Sequence, residues 1–255
     1  YSARRILALD LKDGFRLADY NSGNVVPIAS LTKIMTGYVA LQYLDSGETI
    51  TITQNAADTA GGAGGLEEGE TFTFKDLLSA MMTASSNDAA MAIAETVGAR
   101  MGGNTFEARI ALFVDSMNKQ AREIGMEHTR FLNPTGLDAG SGVPSNLSTA
   151  SDLALLVSAP QLKPMLWEMS RDKERLIYSD AQKRHALINV NTLVDRIPYL
   201  IGTKTGSTDT ARDSVIVVYE YPIGEPHALI LLGAAPGERF VEAARLLNRI
   251  SRVLP

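Results

Sequence analysis

Residues 214–234 read SVIVVYEYPIGEPHALILLGA, and this stretch decides which fold class the sequence favours. It contains two runs, Ser214 to Tyr221 and His227 to Ala234, that are rich in β-branched and apolar residues, as strands are. The segment Pro222 to Pro226 between them carries the proline and glycine that favour a tight connection. The stretch therefore predicts a β-hairpin near the end of the chain.

The opposite end of the chain predicts strands as well. An apolar run at residues 6–9 is followed by Lys12-Asp13-Gly14, and apolar residues then resume in alternation at Phe15, Leu17 and Tyr20. This pattern favours a second hairpin with a glycine turn. Because strands occupy both ends and helices fill the middle, we predict an α/β (α+β) fold in which an antiparallel sheet is built from both chain ends. Flanking helices and an inserted helical subdomain complete it.

Helices are predicted where apolar residues recur three and four positions apart. The first begins at Leu31 and extends toward Ser46-Gly47, and Thr73 with Asp76 resembles a capping pair that opens the helix at 74–84. Further helices are expected at 88–98, 106–124, 151–158 and 238–254, the third of these capped by Ser148 or Thr149. We predict one catalytic domain over 1–255, with 1–50 and 190–255 forming the sheet subdomain and 51–189 the mostly helical one.

The composition excludes several classes of protein. The 255 residues carry 24 Lys and Arg against 29 Asp and Glu, and this net charge of −5 disfavours nucleic-acid binding. There is no cysteine, which excludes a disulfide framework and a thiolate metal site. The three histidines, at 128, 185 and 227, lack metal-ligand spacing, so we expect no metal and no cofactor.

Targeting and membrane attachment leave little trace in the sequence. No stretch approaches the roughly 18 consecutive apolar residues of a membrane helix. The sequence opens on Tyr1 rather than Met, so we expect a processed form. Any membrane attachment is expected only through segments outside this sequence. A glycine-rich stretch at 61–65 lacks the Gly-Lys-Ser/Thr ending of a phosphate-binding loop and predicts a surface connection.

Ser30-Leu31-Thr32-Lys33 places a hydroxyl at the start of the first helix and an amine three residues later, on the same face. A lysine can activate a serine when burial or a neighbouring cation lowers its pKa. The same spacing recurs as Ser116 with Lys119 and as Ser170 with Lys173, so the pattern alone is weak evidence. Only Ser30 is followed by an apolar helix, which favours it over the other two.

Two further triplets carry polar side chains. Ser85-Ser86-Asn87 lies between two predicted helices, where its side chains could serve a site or only cap a helix. Lys204-Thr205-Gly206 occurs once, just ahead of the terminal strands, where a strand edge could present a cation and a hydroxyl to a carboxylate. Gly206 would leave room for the backbone to approach a ligand closely.

The order Ser-x-x-Lys, Ser-x-Asn, Lys-Thr-Gly is the signature of penicillin-binding proteins and class A β-lactamases. The chain resembles the low-molecular-mass penicillin-binding proteins of the serine D-alanyl-D-alanine carboxypeptidase family. The resemblance rests on segments 29–36, 85–90, 133–138, 189–191 and 202–208 and covers nearly the whole chain. It implies a β-lactamase/transpeptidase-like fold and an exported, extracytoplasmic enzyme of peptidoglycan metabolism.

The resemblance also implies catalytic roles. Ser30 would attack the carbonyl of the penultimate D-Ala in a stem peptide ending in D-Ala-D-Ala. Lys33, kept neutral by burial and by Lys204, would accept the serine proton. Ser85 would relay a proton to the departing D-Ala, while Asn87 would hold the substrate amide and the Lys33 amine. A β-lactam antibiotic would acylate the same serine.

Binding roles follow from the same resemblance. Lys204 and Thr205, with Gly206 beside them, would bind the terminal carboxylate, and the backbone N–H groups of Ser30 and Ser207 would form the oxyanion hole. Relatives often carry an arginine on the strand that follows, where this chain has Pro226-His227-Ala228. We expect Arg212 to take that role.

Two other functions stay open. A class A-like β-lactamase would need a deacylating glutamate, and its Glu-x-x-x-Asn pattern is absent from the sequence. A non-catalytic peptidoglycan-binding homologue would not need all three motifs intact. A fluorescent penicillin distinguishes these functions. We expect stable labelling of a carboxypeptidase, transient labelling of a β-lactamase and no labelling of a non-catalytic binding protein.

Overall fold

The computed structural model describes residues 1–61, 63–159 and 164–252. Its main element is a five-stranded antiparallel sheet with strand order β2-β1-β11-β10-β9. The five strands are β1 Arg5–Asp10, β2 Arg16–Tyr20, β9 Leu200–Thr208, β10 Arg212–Glu220 and β11 Pro226–Ala234. Both chain ends therefore form one sheet, and the predicted fold class is confirmed.

The first strand shows how the ends meet. β1 lies between β2 and β11, with Leu7 opposite Ile230 and Leu9 opposite Ala228. Both predicted hairpins are present, the first turning at residues 11–14 and the second joining β10 to β11. β9 is an edge strand of this sheet, so one side of its backbone is open to the rest of the molecule.

The remaining strands form three two-stranded ladders. They pair β3 Val26–Pro27 with β6 Leu147–Ser148, β4 Thr49–Thr51 with β5 Thr71–Thr73, and β7 Glu174–Tyr178 with β8 Arg184–Ile188. The β7–β8 hairpin was not predicted, because each strand contains an apolar run of only three residues preceded by two charged or polar ones. It lies within the segment 51–189 that the sequence predicts as mostly helical.

Eight α-helices are described, and they cover both faces of the sheet. Their bounds are α1 Thr32–Ala40, α2 Gln54–Ala57, α3 Phe74–Thr83, α4 Asn87–Arg100, α5 Phe106–Ile124, α6 Ala150–Val157, α7 Pro164–Glu168 and α8 Arg239–Ile250. The predicted last helix extends to residue 254, of which 253–255 lie outside the described residues. No described helix combines the length and the apolar composition that crossing a membrane requires.

Two apolar cores follow from the alternation along the central strands. Val215, Val217 and Leu229 face α8 and pack with its Ala243 and Leu246. The opposite face packs against the helices of the chain's middle: Ile216, Val218 and Ile230 join a larger cluster that includes α1, α3, α4 and α6. The boundaries of the two subdomains remain a prediction.

Helix starts follow local side-chain chemistry. Thr73 accepts a hydrogen bond from Asp76 N at 3.1 Å, as its spacing predicts. Thr149, rather than Ser148, caps α6 by accepting from Asp152 N at 2.9 Å. Such caps satisfy backbone N–H groups that have no partner within the helix.

Candidate active site

The hydroxyl of Ser30 lies on a 3₁₀ turn, Ala29–Leu31, that runs directly into α1. Ala29 has a φ of 46°, in the left-handed region that non-glycine residues adopt only at some cost. Lys33 is the second residue of α1, and its Nζ lies 2.9 Å from Ser30 Oγ. The side chain of Lys33 is fully buried. The amine and the hydroxyl are therefore in direct contact.

The partners of Lys33 fix how its amine is oriented. Its Nζ donates to Asn87 Oδ1 at 2.6 Å and to the Thr135 carbonyl at 2.7 Å. Asn87 Nδ2 donates to the Ala60 carbonyl at 2.8 Å, which requires that its oxygen face Lys33. A neutral amine has two N–H groups, and these two acceptors take both. In the neutral form the lone pair is then left for the Ser30 hydroxyl, whereas the protonated form donates to Ser30 Oγ with its third N–H group.

Burial lowers the pKa of Lys33 to about 7, although the nearby charge of Asp88 acts in the opposite direction. An ammonium group loses its hydration when it is buried, which favours the neutral amine. At neutral pH a substantial fraction of Lys33 can therefore accept a proton. This is the property that a general base needs.

Ser85 and Lys204 form the second contact of the site. Ser85 lies between α3 and α4 with a φ of 59°, and Lys204 Nζ lies 2.8 Å from its Oγ. Ser86, rather than Ser85 or Asn87, accepts from Ala89 N at 3.0 Å as the cap of α4. Capping therefore does not explain the positions of the Ser85 and Asn87 side chains.

Lys204 is as buried as Lys33. Burial, then the charge of Lys33 and then that of Arg239 lower the pKa of Lys204 well below its usual value. Two buried amines whose charges repel each other favour a state in which they do not both carry a proton. An anionic ligand would relieve this repulsion.

Gly206 lets the edge strand β9 pack on the turn that carries Ser30. A Cβ at Gly206 would lie 2.8 Å from the Ile28 carbonyl oxygen and 3.2 Å from Leu31 N. The protein's own backbone thus approaches Gly206 closely, and the approach of a ligand at this position stays a prediction. Thr205 is buried beside Lys204, and Ser207 Oγ donates to Asp213 Oδ1 at 2.8 Å.

Two arginines flank this strand. Arg212 opens β10 opposite Thr208, with a φ of 57° and a partly exposed side chain. Arg239, at the start of α8, donates through one guanidinium nitrogen to the Gly206 carbonyl at 3.3 Å and to Asp213 at 3.2 Å. Its Nε is buried and has no hydrogen-bond partner within the described part of the chain. Sequence reasoning missed Arg239, since nothing local marks it as part of a site.

The segment around Thr135 supplies further groups that sequence reasoning did not assign to the site. Thr135 supplies its carbonyl, and Gly136, which has no side chain, allows the segment to pack against the turn that carries Ser30. With a φ of 86°, it packs so closely that a Cβ would lie 2.0 Å from the Ala29 carbonyl oxygen. The sequence Asn133-Pro134-Thr135-Gly136 could have indicated this part of the site. It supported the family resemblance, but no role was assigned to it.

The glycine-rich stretch also borders the site. The Ala60 carbonyl accepts a hydrogen bond from Asn87. A Cβ at Gly61 would lie 2.8 Å from Asn87 Nδ2, and a Cβ at Gly64 would lie 2.8 Å from Ser86 Oγ. Small residues are therefore required where this loop crosses the start of α4. Gly62 lies outside the described residues.

The two other Ser-x-x-Lys pairs lack these surroundings. Lys119 is exposed and pairs with Glu123 at 3.8 Å, and Lys173 is exposed and pairs with Asp195 at 3.2 Å. Both amines are in contact with solvent, whereas the Lys33 amine is buried. Within the described residues, no group of three or more His, Asp or Glu side chains could hold a metal ion.

Comparisons with known proteins agree with this geometry. A family model described as D-alanyl-D-alanine carboxypeptidase matches residues 1–220. A D-alanyl-D-alanine carboxypeptidase of Bacillus subtilis is 28% identical over 253 residues, which cover 97% of this chain and 62% of that protein. One from Mycobacterium tuberculosis is 30% identical over 84% of this chain and 69% of its own length. This chain thus spans less than two thirds of the Bacillus relative.

A solved structure shows the same fold. The D-alanyl-D-alanine carboxypeptidase from Mycobacterium tuberculosis H37Rv superposes with a TM-score of 0.84 at 26% identity. The superposition covers all of this chain and 92% of that one.

Proposed function

This chain belongs to the D-alanyl-D-alanine carboxypeptidase family, and on that premise we propose that it removes the terminal D-Ala from peptidoglycan stem peptides ending in D-Ala-D-Ala. The observation that carries the proposal is the contact of the buried Lys33 amine with Ser30 Oγ, completed by Asn87. A serine hydroxyl becomes a useful nucleophile when a base of matched pKa lies within hydrogen-bond distance.

In the first step Ser30 Oγ attacks the carbonyl carbon of the penultimate D-Ala, and its proton passes to the lone pair of Lys33. The tetrahedral intermediate then expels D-Ala, whose amine receives a proton through Ser85. Lys204, 2.8 Å from Ser85 Oγ, supports this transfer. Water attacks the resulting ester, which releases the shortened peptide and regenerates Ser30.

Stabilisation of the intermediate is assigned to the backbone. The N–H groups of Ser30 and Ser207 would donate to the oxyanion, which carries full charge only in the transition state and intermediate. The packing of β9 on the Ala29–Leu31 turn, made possible by Gly206, supports this assignment. This packing holds the strand that carries Ser207 against the turn that carries Ser30.

The terminal carboxylate of the substrate would bind to Lys204 and Thr205. Arg239 is a stronger third partner than Arg212, because its guanidinium lies against the Gly206 carbonyl and its charge acts on Lys204. A bound carboxylate would favour the protonated form of Lys204, which burial and the neighbouring positive charges disfavour. Arg212 remains the alternative.

The acyl-enzyme should also form with β-lactam antibiotics, whose strained amide offers the same carbonyl to Ser30. The test uses a fluorescent penicillin together with an acyl-D-Ala-D-Ala peptide. Stable labelling that is lost in Ser30→Ala, together with D-Ala release, supports the carboxypeptidase. Rapid loss of the label would favour a β-lactamase, and absence of any label would favour a non-catalytic peptidoglycan-binding protein.

The place of action follows from the substrate. Peptidoglycan lies outside the cytoplasmic membrane, so we propose that the enzyme acts in the periplasm or on the outer face of that membrane. The test is cell fractionation with labelling by a penicillin that does not cross the membrane. A label found only after lysis would contradict this assignment.

A further inference from the structure

The segment 133–137 lies along the reactive face of α1. The Pro134 carbonyl accepts from Thr36 Oγ1 at 2.6 Å, and the Thr135 carbonyl accepts from Lys33 Nζ at 2.7 Å. Positions 33 and 36 are three residues apart and share one face of the helix. The segment therefore offers successive carbonyl groups to that face, and one of them reaches the amine of the proposed base.

Asn133 holds this segment in shape. Its Oδ1 accepts from Thr135 N at 3.1 Å, from Thr135 Oγ1 at 3.1 Å and from Gly136 N at 2.7 Å. Its Nδ2 donates to the Leu137 carbonyl at 2.9 Å and to Ser145 Oγ at 3.0 Å. Backbone groups that turn away from regular structure need such partners when they are buried. One amide side chain thus sets the direction of the Thr135 carbonyl.

A second amide ties the segment to α1. Asn146, which is buried, accepts from Leu132 N at 2.7 Å and donates to the Asn133 carbonyl at 2.9 Å. Its Nδ2 also lies 2.8 Å from Thr32 Oγ1. The segment is therefore anchored to the helix that carries Lys33 independently of the Thr135–Lys33 contact.

We propose that Asn133 is a positioning residue for the acylation of Ser30, acting through the Thr135 carbonyl on the Lys33 amine. The neutral amine has two N–H groups, and Asn87 takes one of them. When the Thr135 carbonyl takes the other, only the lone pair is left to face Ser30 Oγ. Without that carbonyl the amine can rotate about its last bond, and the lone pair is no longer directed. This inference rests on the proposed function.

The test measures acylation by a fluorescent penicillin at saturating and subsaturating concentrations. Asn133→Ala should lower the acylation rate constant about 10- to 100-fold while the dissociation constant of the initial complex changes little, because misdirected groups lose rate rather than affinity. The temperature of unfolding is measured in parallel to separate positioning from stability.

Asn118→Ala is the matched control. Asn118 binds the backbone of Phe131, two residues before Asn133. It accepts from Phe131 N at 2.9 Å and donates to the Phe131 carbonyl at 2.8 Å. It has no contact with Lys33 among its described hydrogen bonds. The variant should lose stability but keep the acylation rate within about twofold of wild type, as expected for independent sites.

Asn133→Asp provides rescue and a second readout. An aspartate keeps an acceptor for Thr135 and Gly136 but cannot donate to the Leu137 carbonyl, so acylation at high pH should recover in part, to within about tenfold of wild type. Its negative charge acts in the same direction as that of Asp88 and raises the pKa of Lys33. The acid limb of the acylation rate should then move to higher pH.

The outcomes are distinguishable. If the wild-type protein is never labelled, the proposed function fails and this inference fails with it. If the wild type is labelled and a folded Asn133→Ala variant acylates at the wild-type rate, or Asn118→Ala loses as much rate, only the positioning role is overturned. If Asn133→Ala does not fold, Asn133→Asp decides: an acid limb at the wild-type pH contradicts the proposal.

Discussion

At the scale of the residue, the site depends on two lysines that share a chemistry but not a set of partners. Lys33 contacts one hydroxyl and two groups that only accept, which leaves its lone pair for the hydroxyl. Lys204 contacts the hydroxyl of Ser85 and the carbonyl of Thr205 at 2.9 Å, so it keeps a donor for an anionic ligand. In the proposed mechanism the different partners, rather than the residue type, suit one amine to proton transfer and the other to binding.

The pKa of Lys33, lowered to about 7 by burial, predicts the pH dependence of acylation. Below this pKa the amine is protonated and cannot accept the Ser30 proton, so the acylation rate should rise with pH between 5 and 9 and level off. Stopped-flow fluorescence with a labelled penicillin measures it. Lys33→Ala should lower the plateau about 100- to 10,000-fold, as loss of a general base does. Lys119→Ala, at an exposed Ser-x-x-Lys pair, should match wild type, and a rate independent of pH would contradict the role of Lys33.

The choice between the two arginines is also decided by single substitutions. Arg239→Leu should reduce the preference for a peptide carboxylate over the corresponding C-terminal carboxamide about 10-fold or more, because a charge-assisted hydrogen bond contributes roughly 1.5–3 kcal/mol. Arg212→Leu should leave this preference unchanged. The ratio of kcat/KM values for the two peptides is the measurement, since a general loss of stability would lower both values together. The reverse pattern would identify Arg212 as the carboxylate partner.

At the scale of the element, the site requires β9 to lie against the turn before α1. The edge of β9 carries Lys204, and the turn carries Ser30, so the packing between them sets the width of the site. Gly206 makes this packing possible because its backbone lies against Ile28. The glycine is thus explained by the contact of two elements.

Gly206→Ala should therefore affect both stability and activity. The added Cβ would lie 2.8 Å from a backbone oxygen that cannot rotate away, and such overpacking costs about 1–3 kcal/mol. Urea unfolding and penicillin acylation measured on the same variant should both decline. Gly47→Ala is the control, because a Cβ there meets no atom within 4 Å. Equal behaviour of the two variants would contradict this account of the packing.

At the scale of the whole molecule, the two chain ends are joined by hydrogen bonds as well as by the sheet. Glu242 on α8 is buried and accepts from the backbone N–H groups of Ser2 and Ala3, the latter at 3.0 Å. Burial alone would raise the pKa of this carboxyl group, but the hydrogen bonds from Ser2 and Ala3 outweigh it and hold the pKa below its usual value. The last helix is thereby attached to the residues that precede the first strand.

Glu242→Gln tests this attachment through the pH dependence of stability. A depressed pKa contributes stability above the unfolded pKa of about 4.3, and that contribution is lost as pH falls through the folded pKa. The free energy of unfolding should therefore drop by about 1–2 kcal/mol in the variant at pH 7, and the difference from wild type should shrink below pH of about 4. Urea titrations at several pH values measure it. Glu238→Gln, at an exposed carboxylate before the same helix, should show little change at any pH.

Much of the fold could be predicted from local patterns. The runs at 214–221 and 227–234 are strands because their β-branched and apolar residues suit a pleated, buried surface. The β7–β8 hairpin could not be predicted in the same way. Each strand has only five residues and begins with two charged or polar residues, Glu174-Arg175 in β7 and Arg184-His185 in β8. The hairpin packs on α3, and the local sequence does not encode that contact.

By itself the sequence determined the residue types of the candidate site, since hydroxyl, amine and amide groups occur in order at 30, 33, 85, 87 and 204. The packing of helices and strands determines which of the three Ser-x-x-Lys pairs lies beside the other polar groups of the site. Lys33 and Lys119 have the same spacing from a serine, but Lys33 is buried and its pKa is lowered to about 7, whereas Lys119 is exposed. Arg239, the Thr135 carbonyl and Asn133 enter for the same reason. A contact between groups distant along the chain depends on how the elements pack, and no local spacing records that.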